Sequence, residues 1–389
     1  MSLLNNLLID QKKCWFTLKE WEGLFYFDLE TGACDCLEDT IVKNTSRNID
    51  TIIKRSNFIF LLPTGKYDVI DVFDIVRKKY IHHIRLNING NCYFDNAVVR
   101  GKYIYLINNW SDNPAIYILN TNKMKICRKI VIDKDLLWKS KKSGRLFSKD
   151  IVVNKNILIL ASAASQYIVR VNLEDYTVEY LNISCNLKGF ATMCTNKDEY
   201  WLTDEDGLVL RWSMKDAEEF DLKNVVDLNV DLSKEELEYK ENSQGYRASY
   251  MYFNSTIYLG GKIFWIPGRA NILLELDILS KKWSTVCERP KISGYTTWLL
   301  YPNLTNEKLY FFSVREQKLF DIANAISENR FEPTIKNKNI FIEDDLLSEN
   351  RNSLINLDNY INNYISFKGE NYRRRNETRG RNIWNLIIS

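Results

Sequence analysis

Lys102-Tyr103-Ile104-Tyr105-Leu106-Ile107, Ala115-Ile116-Tyr117-Ile118-Leu119-Asn120-Thr121-Asn122 and Lys125-Ile126-Cys127-Arg128-Lys129-Ile130-Val131 follow one another closely in the chain. Each run is rich in β-branched and aromatic residues and is bounded by a polar cluster, which reads as a strand. Asn96-Ala97-Val98-Val99 ahead of them supplies a fourth strand, the innermost of the unit. The near-continuous apolar character of Lys102–Ile107, the second strand of the unit, implies burial on both faces. The third strand, from Ala115, closes on a polar residue, Asn120, and that ending returns along the chain. It recurs as Phe27-Asp28, Phe73-Asp74, Val171-Asn172, Trp212-Ser213, Leu276-Asp277 and Phe320-Asp321. Successive polar residues lie 46, 46, 52, 41, 64 and 44 positions apart.

A period of about 40–50 residues filled with short strands predicts an all-β fold, a β-propeller. The repeats number seven, or six if the irregular first unit is discounted. Each would be a four-stranded blade, and residues 1–336 would form the propeller. The chain has only 15 Gly and 6 Pro, so its turns must rely on other residues. Asp, Asn and Ser side chains bond their own backbone in turns, which explains the recurring polar residue.

Further units repeat the plan. Innermost strands are expected at Ile151-Val152-Val153, Ala191-Thr192-Met193, Met251-Tyr252-Phe253 and Trp298-Leu299-Leu300. The long spacing between the fifth and sixth units predicts an insertion over about 215–245, with a short capped helix at Leu232–Leu237. The blade pattern stops near Asn337. Residues 337–389 are expected as a partly helical extension, with apolar Leu354, Leu357, Ile361 and Tyr364 at helical spacing. A basic tail with Arg373, Arg374, Arg375, Arg379 and Arg381 follows.

With 53 basic and 50 acidic residues the net charge is +3, which gives no bulk electrostatic case for nucleic acid. The start of the chain lacks a basic region before its short apolar part, so no signal peptide is expected, and no apolar run spans a bilayer. The eight cysteines are scattered, which suits reduced thiols in a cytoplasmic protein.

Gly260-Gly261, Leu276-Asp277 and Trp283 together resemble a kelch-type blade. The equivalents of Trp283 are Cys34, Tyr80, Ile126, Val178 and Glu219, so the tryptophan does not recur. The chain, rich in Lys, Asn and Ile, is similar to divergent bacterial members of the kelch-like group. That resemblance implies a propeller and a habit of binding. It implies no reaction, because propellers host many chemistries.

Only two histidines occur, the adjacent His82 and His83, so a multi-histidine metal site is excluded by count. No metal and no cofactor is expected. In a propeller the loops between second and third strands share a face with the loops entering each innermost strand. The candidate ligand-binding residues read from that face are Lys66, Trp110, Asp112, Asp204, Arg247, Arg269 and Arg315. Trp110 can stack on a ring, and the arginines can fork onto carboxylate or phosphate. The sequence therefore points first to a non-catalytic scaffold that binds a protein or a polar, anionic or glycan-like ligand, accessory to polysaccharide or peptide modification. The alternative is a carbohydrate-active hydrolase or lyase using Asp112, Asp204 or Glu316 as acid or base.

Overall fold

The computed structural model describes residues 4–321, apart from 11–12, 19–20, 29–33, 37–47, 139–143, 198, 214, 227, 229–251, 269, 271, 289–299, 306–307 and 314–317. The expected helix at Leu232–Leu237, the innermost-strand residues Met251 and Trp298-Leu299, and the whole of 337–389 fall outside these residues.

Seven antiparallel sheets succeed one another among the described residues, each built from one continuous stretch of chain. The first blade holds β1 (Leu4–Asp10), β2 (Lys13–Leu18), β3 (Trp21–Asp28) and β4 (Cys34–Cys36). The second holds β5 (Asn48–Arg55), β6 (Phe58–Gly65), β7 (Val69–Asp74) and β8 (Lys79–Arg85), with β9 (Cys92–Tyr93) paired to the end of β6. The third holds β10 (Asn96–Arg100), β11 (Tyr103–Asn108), β12 (Ala115–Asn120) and β13 (Lys125–Val131). A single helical turn, α1 (Lys134–Leu137), leads to β14 (Phe147–Asn154), β15 (Ile157–Ser162), β16 (Tyr167–Asn172) and β17 (Val178–Asn182). The fifth blade holds β18 (Thr192–Asn196), β19 (Glu199–Thr203), β20 (Leu208–Trp212) and β21 (Ala217–Asp221). The sixth holds β22 (Phe253–Leu259), β23 (Lys262–Pro267), β24 (Ile272–Asp277) and β25 (Lys282–Glu288). The last described strands are β26 (Leu300–Thr305), β27 (Lys308–Ser313) and β28 (Lys318–Asp321).

The first strands touch in a ring: β1 with β5, β5 with β10, and so through β14, β18, β22 and β26, which returns to β1. This is the geometry of a propeller around a central axis. The innermost strands of the fifth and sixth blades run later than the sequence pattern suggests, as Thr192–Asn196 and Phe253–Leu259. In both, a polar-rich strand (Thr-Met-Cys-Thr-Asn and Phe-Asn-Ser-Thr-Ile) lines the axis, so an apolar criterion finds only its first residues. Ala217–Asp221, at the start of the stretch read as an insertion, is instead the outer strand of the fifth blade and pairs along β20.

The core lies between blades rather than within them. Blades two and three share Phe60, Leu62, Val72, Ile104, Leu106 and Tyr117. Blades three and four share Ile116, Ile118, Leu158 and Val169, and blades five and six meet through Trp201, Trp265 and Leu274. Every residue of β12 is buried, as a strand sandwiched on both faces must be.

The recurring polar residue closes the turn into the outer strand. Asp74 Oδ1 accepts from the amides of Val76 and Arg77 at 2.9 and 3.0 Å, and Asn120 Oδ1 accepts from Asn122 and Lys123 at 3.1 and 3.2 Å. Asn172, Ser213 and Asp277 accept in the same way from Glu174, Asp216 and Ser280. Neighbouring blades are also tied on this same face, where first strands turn into second strands. Arg55 Nε donates to Gly101 O at 2.7 Å, Arg100 Nη1 to Lys155 O at 2.9 Å and Asn154 Nδ2 to Lys197 O at 3.1 Å. Each donor ends a first strand, and each acceptor opens the next blade's first hairpin.

Trp265 is fully buried, packs against Trp283 with ring centroids 5.0 Å apart and planes tilted by 35°, and donates from Nε1 to Thr203 Oγ1 in the adjoining blade at 2.8 Å. Truncation leaves both a cavity and an unpaired hydroxyl between two blades. Trp265→Ala is therefore expected to destabilise by about 3–5 kcal/mol, and Trp265→Phe by distinctly less, read from urea midpoints.

Candidate functional site

Three segments meet on the face where second strands turn into third strands, over the second to fourth blades. Asn108 and Asn109, at the end of β11, are buried, and their side chains organise everything above them. Asn109 Oδ1 accepts from the amides of Leu146 and Phe147 at 3.0 and 2.6 Å. Its Nδ2 donates to Phe147 O at 3.0 Å and to both Asp95 carboxylate oxygens, at 3.1 and 3.2 Å. Asn108 Oδ1 accepts from the Tyr93 amide at 2.8 Å, and its Nδ2 donates to Asn113 O at 2.8 Å. Two adjacent amides thus lock the loop 108–113 against the chain entering blade three (93–95) and the chain entering blade four (144–147).

An aromatic–cation cluster rests on this frame. The Arg145 guanidinium lies 4.4 Å from the Tyr93 ring centroid and hydrogen-bonds the Tyr93 hydroxyl. Its Nε is 3.6 Å from Asp95 Oδ2. Trp110 sits beside Tyr93, with centroids 6.4 Å apart, and its backbone bridges to Arg145. Trp110 Nε1 donates to the exposed Asp112 Oδ2 at 3.0 Å. Tyr93, Trp110 and Arg145 are all half-buried, so their rings and the guanidinium keep a solvent-facing side. Exposed Lys66 follows directly on the end of β6, where Thr64 and Gly65 pair with Tyr93 and Cys92.

The sequence-derived candidates divide accordingly. Lys66, Trp110 and Asp112 converge on this sector. Asp204 lies in the fifth blade, where Oδ1 accepts from the amides of Asp206 and Leu208, both at 2.9 Å. Its carboxylate shapes its own loop, and burial pushes its pKa up. Arg247, Arg269, Arg315 and Glu316 lie outside the described residues. Sequence reading missed Tyr93, Asp95 and Arg145. The same rule that selected Trp110 also covers loops entering innermost strands, and applying it to Cys92-Tyr93-Phe94-Asp95 and Gly144-Arg145 would have found them. No cluster of His, Cys, Asp or Glu suited to a metal ion occurs among the described residues.

The axis carries a different polar group. Asp150, on β14, reaches the first strands of both following blades. Its Oδ1 accepts from Ser255 Oγ at 2.6 Å, and its Oδ2 accepts from the amides of Met193 and Thr256, both at 3.0 Å. Beside it the Thr192 and Thr256 hydroxyls meet at 2.5 Å. Gly189, just before β18, passes so close to the Ala163 carbonyl that a Cβ would lie 2.3 Å from its oxygen. Desolvation by burial lifts the Asp150 pKa from 3.8 to about 6, against the lowering effect of the three hydrogen bonds.

No protein-family model matches the chain, and no curated protein does. Solved structures match its fold across most of its length. A chain of the mitotic checkpoint complex superposes with a TM-score of 0.54 at 10% identity, covering 80% of this chain and 85% of its own. The RRP9 WD40 repeats give 0.53 at 7% identity, covering 80% and 88%. The computationally designed Ika8 protein gives 0.51 at 8% identity, covering 82% and 83%. This chain is a β-propeller repeat protein. Among its described residues no helix is long and apolar enough to cross a membrane.

The folded propeller holds the Asp150 proton more tightly than an unfolded chain does. Its contribution to stability is therefore full below the ordinary carboxylate value and is lost as pH rises through about 6. An asparagine can keep the frame: its oxygen replaces Oδ2 for the two amides, and its NH2 donates to the rotated Ser255 hydroxyl. Asp150→Asn is expected to melt higher relative to wild type at pH 7.5 than at pH 5, by about 1–3 kcal/mol in stability. A pH-independent difference would show that Asp150 is not the titrating group.

Proposed function

We propose that this propeller is a non-catalytic interaction scaffold that engages a protein partner through the sector of Tyr93, Trp110 and Arg145. The observation that carries this reading is the cluster itself. Trp, Tyr and Arg are the residue types that dominate binding energy at protein interfaces. Here they stand half-exposed on a buried asparagine–aspartate frame, so their geometry is set before any partner arrives and little order is left to impose on binding. Asp112 and Lys66 supply a polar rim of both charges around this centre. The solved neighbours include a component of the mitotic checkpoint complex, so the same fold serves in a multiprotein assembly.

Within this reading Arg247, Arg269 and Arg315 extend the same binding face, residues 337–389 form a separate extension, and the stretch of about 215–245, apart from the strand Ala217–Asp221, is an insertion between blades. A protein is favoured over a glycan because the centre of the sector is made of Tyr93, Trp110 and Arg145, while the two candidate carboxylates stand in different blades, Asp112 after β11 and Asp204 after β19, rather than side by side as a glycosidic pair. The kelch-type resemblance, a bacterial source and a cytoplasmic location belong to the same reading.

The test is affinity capture from the source cells, followed by titration of the recovered partner. Trp110→Ala leaves the asparagine frame in place and is expected to weaken binding by about 2–4 kcal/mol, roughly 30- to 1000-fold, with an unchanged melting temperature. Lys66→Ala, at the rim, is expected to cost under about 1 kcal/mol. A partner retained at full affinity by Trp110→Ala and Arg145→Ala would overturn the assignment of this sector.

A further inference from the structure

The net charge of +3 conceals a strongly uneven perimeter. In the second blade, the turn and outer strand 76–85 carry Arg77, Lys78, Lys79 and Arg85, all exposed. In the third, 122–131 carry Lys123, Lys125, Arg128 and Lys129, also exposed. Neither stretch contains a carboxylate. Blades two and three are packed against each other, so these two sets of four cations stand on neighbouring edges of the ring. The fourth blade's equivalent, 174–182, carries Glu174, Asp175 and Glu179 and no Lys or Arg. The fifth blade's, 215–221, sets Asp216, Glu218, Glu219 and Asp221 against Lys215 alone.

Lysines on outer strands guard sheet edges against pairing, but that need applies to every blade. It does not explain why two adjacent edges are wholly basic and the next two acidic. The basic edge is also free. Lys78, Lys79, Arg85, Lys123 and Lys125 make no ion pair or side-chain hydrogen bond among the described residues, and none has an interaction beyond those described above. Arg77 reaches Asp74 only at 3.7 Å, while Arg128 and Lys129 rest over Tyr176 and Tyr117 and keep their charge. By contrast Arg211 in the fifth blade is matched by Asp216 at 2.7 Å and Glu218 at 3.2 Å.

We infer that the edge of blades two and three binds the phosphodiester backbone of a nucleic acid, independently of base sequence. A protein interface wants an aromatic or apolar centre and few lysines, whereas the only large apolar side chains exposed in these stretches are Val76 and Val131. A membrane surface would call for an apolar anchor among the cations, and the same two valines are all the edge offers. A set of exposed point charges on neighbouring edges suits a regularly spaced polyanion, whose condensed counterions are released on binding. This surface is separate from the Tyr93–Trp110–Arg145 sector, so the two readings fail independently.

The test uses the full chain and a fluorescently labelled oligothymidylate of about 20 nucleotides. Anisotropy titrations at several salt concentrations between about 50 and 200 mM give the slope of log affinity against log salt. The variant Lys78→Gln, Lys79→Gln, Lys123→Gln, Lys125→Gln removes four exposed charges and should leave melting unchanged. Its slope is expected to fall by about 3 in magnitude, with at least tenfold weaker binding at the lowest salt. A second variant replaces Arg373, Arg374, Arg375, Arg379 and Arg381 with Gln. If that variant loses binding while the edge variant keeps it, the basic tail is the site and the inference falls. It also falls if wild type does not bind at low salt. Equal or tighter edge-dependent binding to polyglutamate, or to phosphatidylserine vesicles, would replace nucleic acid with an acidic protein or a membrane.

Discussion

The middle strands of the second and third blades have almost no face that meets water. A strand such as β12, buried along its whole length, is stable only while a second blade covers one side and a third covers the other. A lone four-stranded sheet of this composition would expose two apolar faces, and closing the ring is what removes them. The single-stretch construction of each sheet follows from this constraint. Because cohesion comes from face-to-face burial, no strand is exchanged between blades among the described residues, and the polar links between blades serve to orient them. Trp265 with Thr203, Arg100 with the Lys155 carbonyl and Asp150 with Ser255 are such links: each orients two blades whose attraction is already apolar.

Turn chemistry explains how the chain manages with so little glycine. In four blades the residue four positions after the capping side chain has positive φ: Lys78 at 52°, Met124 at 46°, Tyr176 at 68° and Lys281 at 55°. A left-handed residue with a side chain costs about 1–2 kcal/mol. The capping Asp74, Asn120, Asn172 or Asp277 offsets this by satisfying amides inside the turn, which fixes the hairpin even without Gly. The first hairpins use the same device at Lys155 and Lys197, with φ of 52° and 57°, and the carbonyls of these two residues accept the links from the preceding blade.

These regularities show why the fold was readable and the site was not. The Asx cap is local, so Asp74 or Asn120 announces its turn within a few residues, and the period between caps carries the architecture. Strands that line the axis are different. Their environment is made by other blades: Ser255 and Thr256 are polar because Asp150, over a hundred positions earlier, needs donors. No apolar periodicity marks such a strand, which is why the sequence pattern sets the starts of β18 and β22 early. The candidate site lies at the same distance from local signals. Trp110 and Asp112 could be chosen because their loop joins two obvious strands. Tyr93 and Arg145 precede strands whose starts are blurred, and their relation to Asn109 is a contact between three segments.

The two surfaces differ in physical kind, and that difference argues against a single ligand covering both. Around Trp110 the charges are mixed and neutralised at short range: Arg145 faces Asp95, and the indole N–H is taken by Asp112. What such a surface offers a partner is shape and desolvated aromatic area, which salt barely affects. Along the outer edges of blades two and three the cations are of one sign and, Arg77 beside Asp74 apart, have no carboxylate partner among the described residues, so what they offer is a field that salt weakens. A net charge summed over the chain averages these regimes with the acidic edge of blades four and five and reports neither. For a ring of blades the meaningful unit of electrostatics is the edge of each blade, because opposite rims stand apart across the packed core and only neighbouring edges reinforce or cancel.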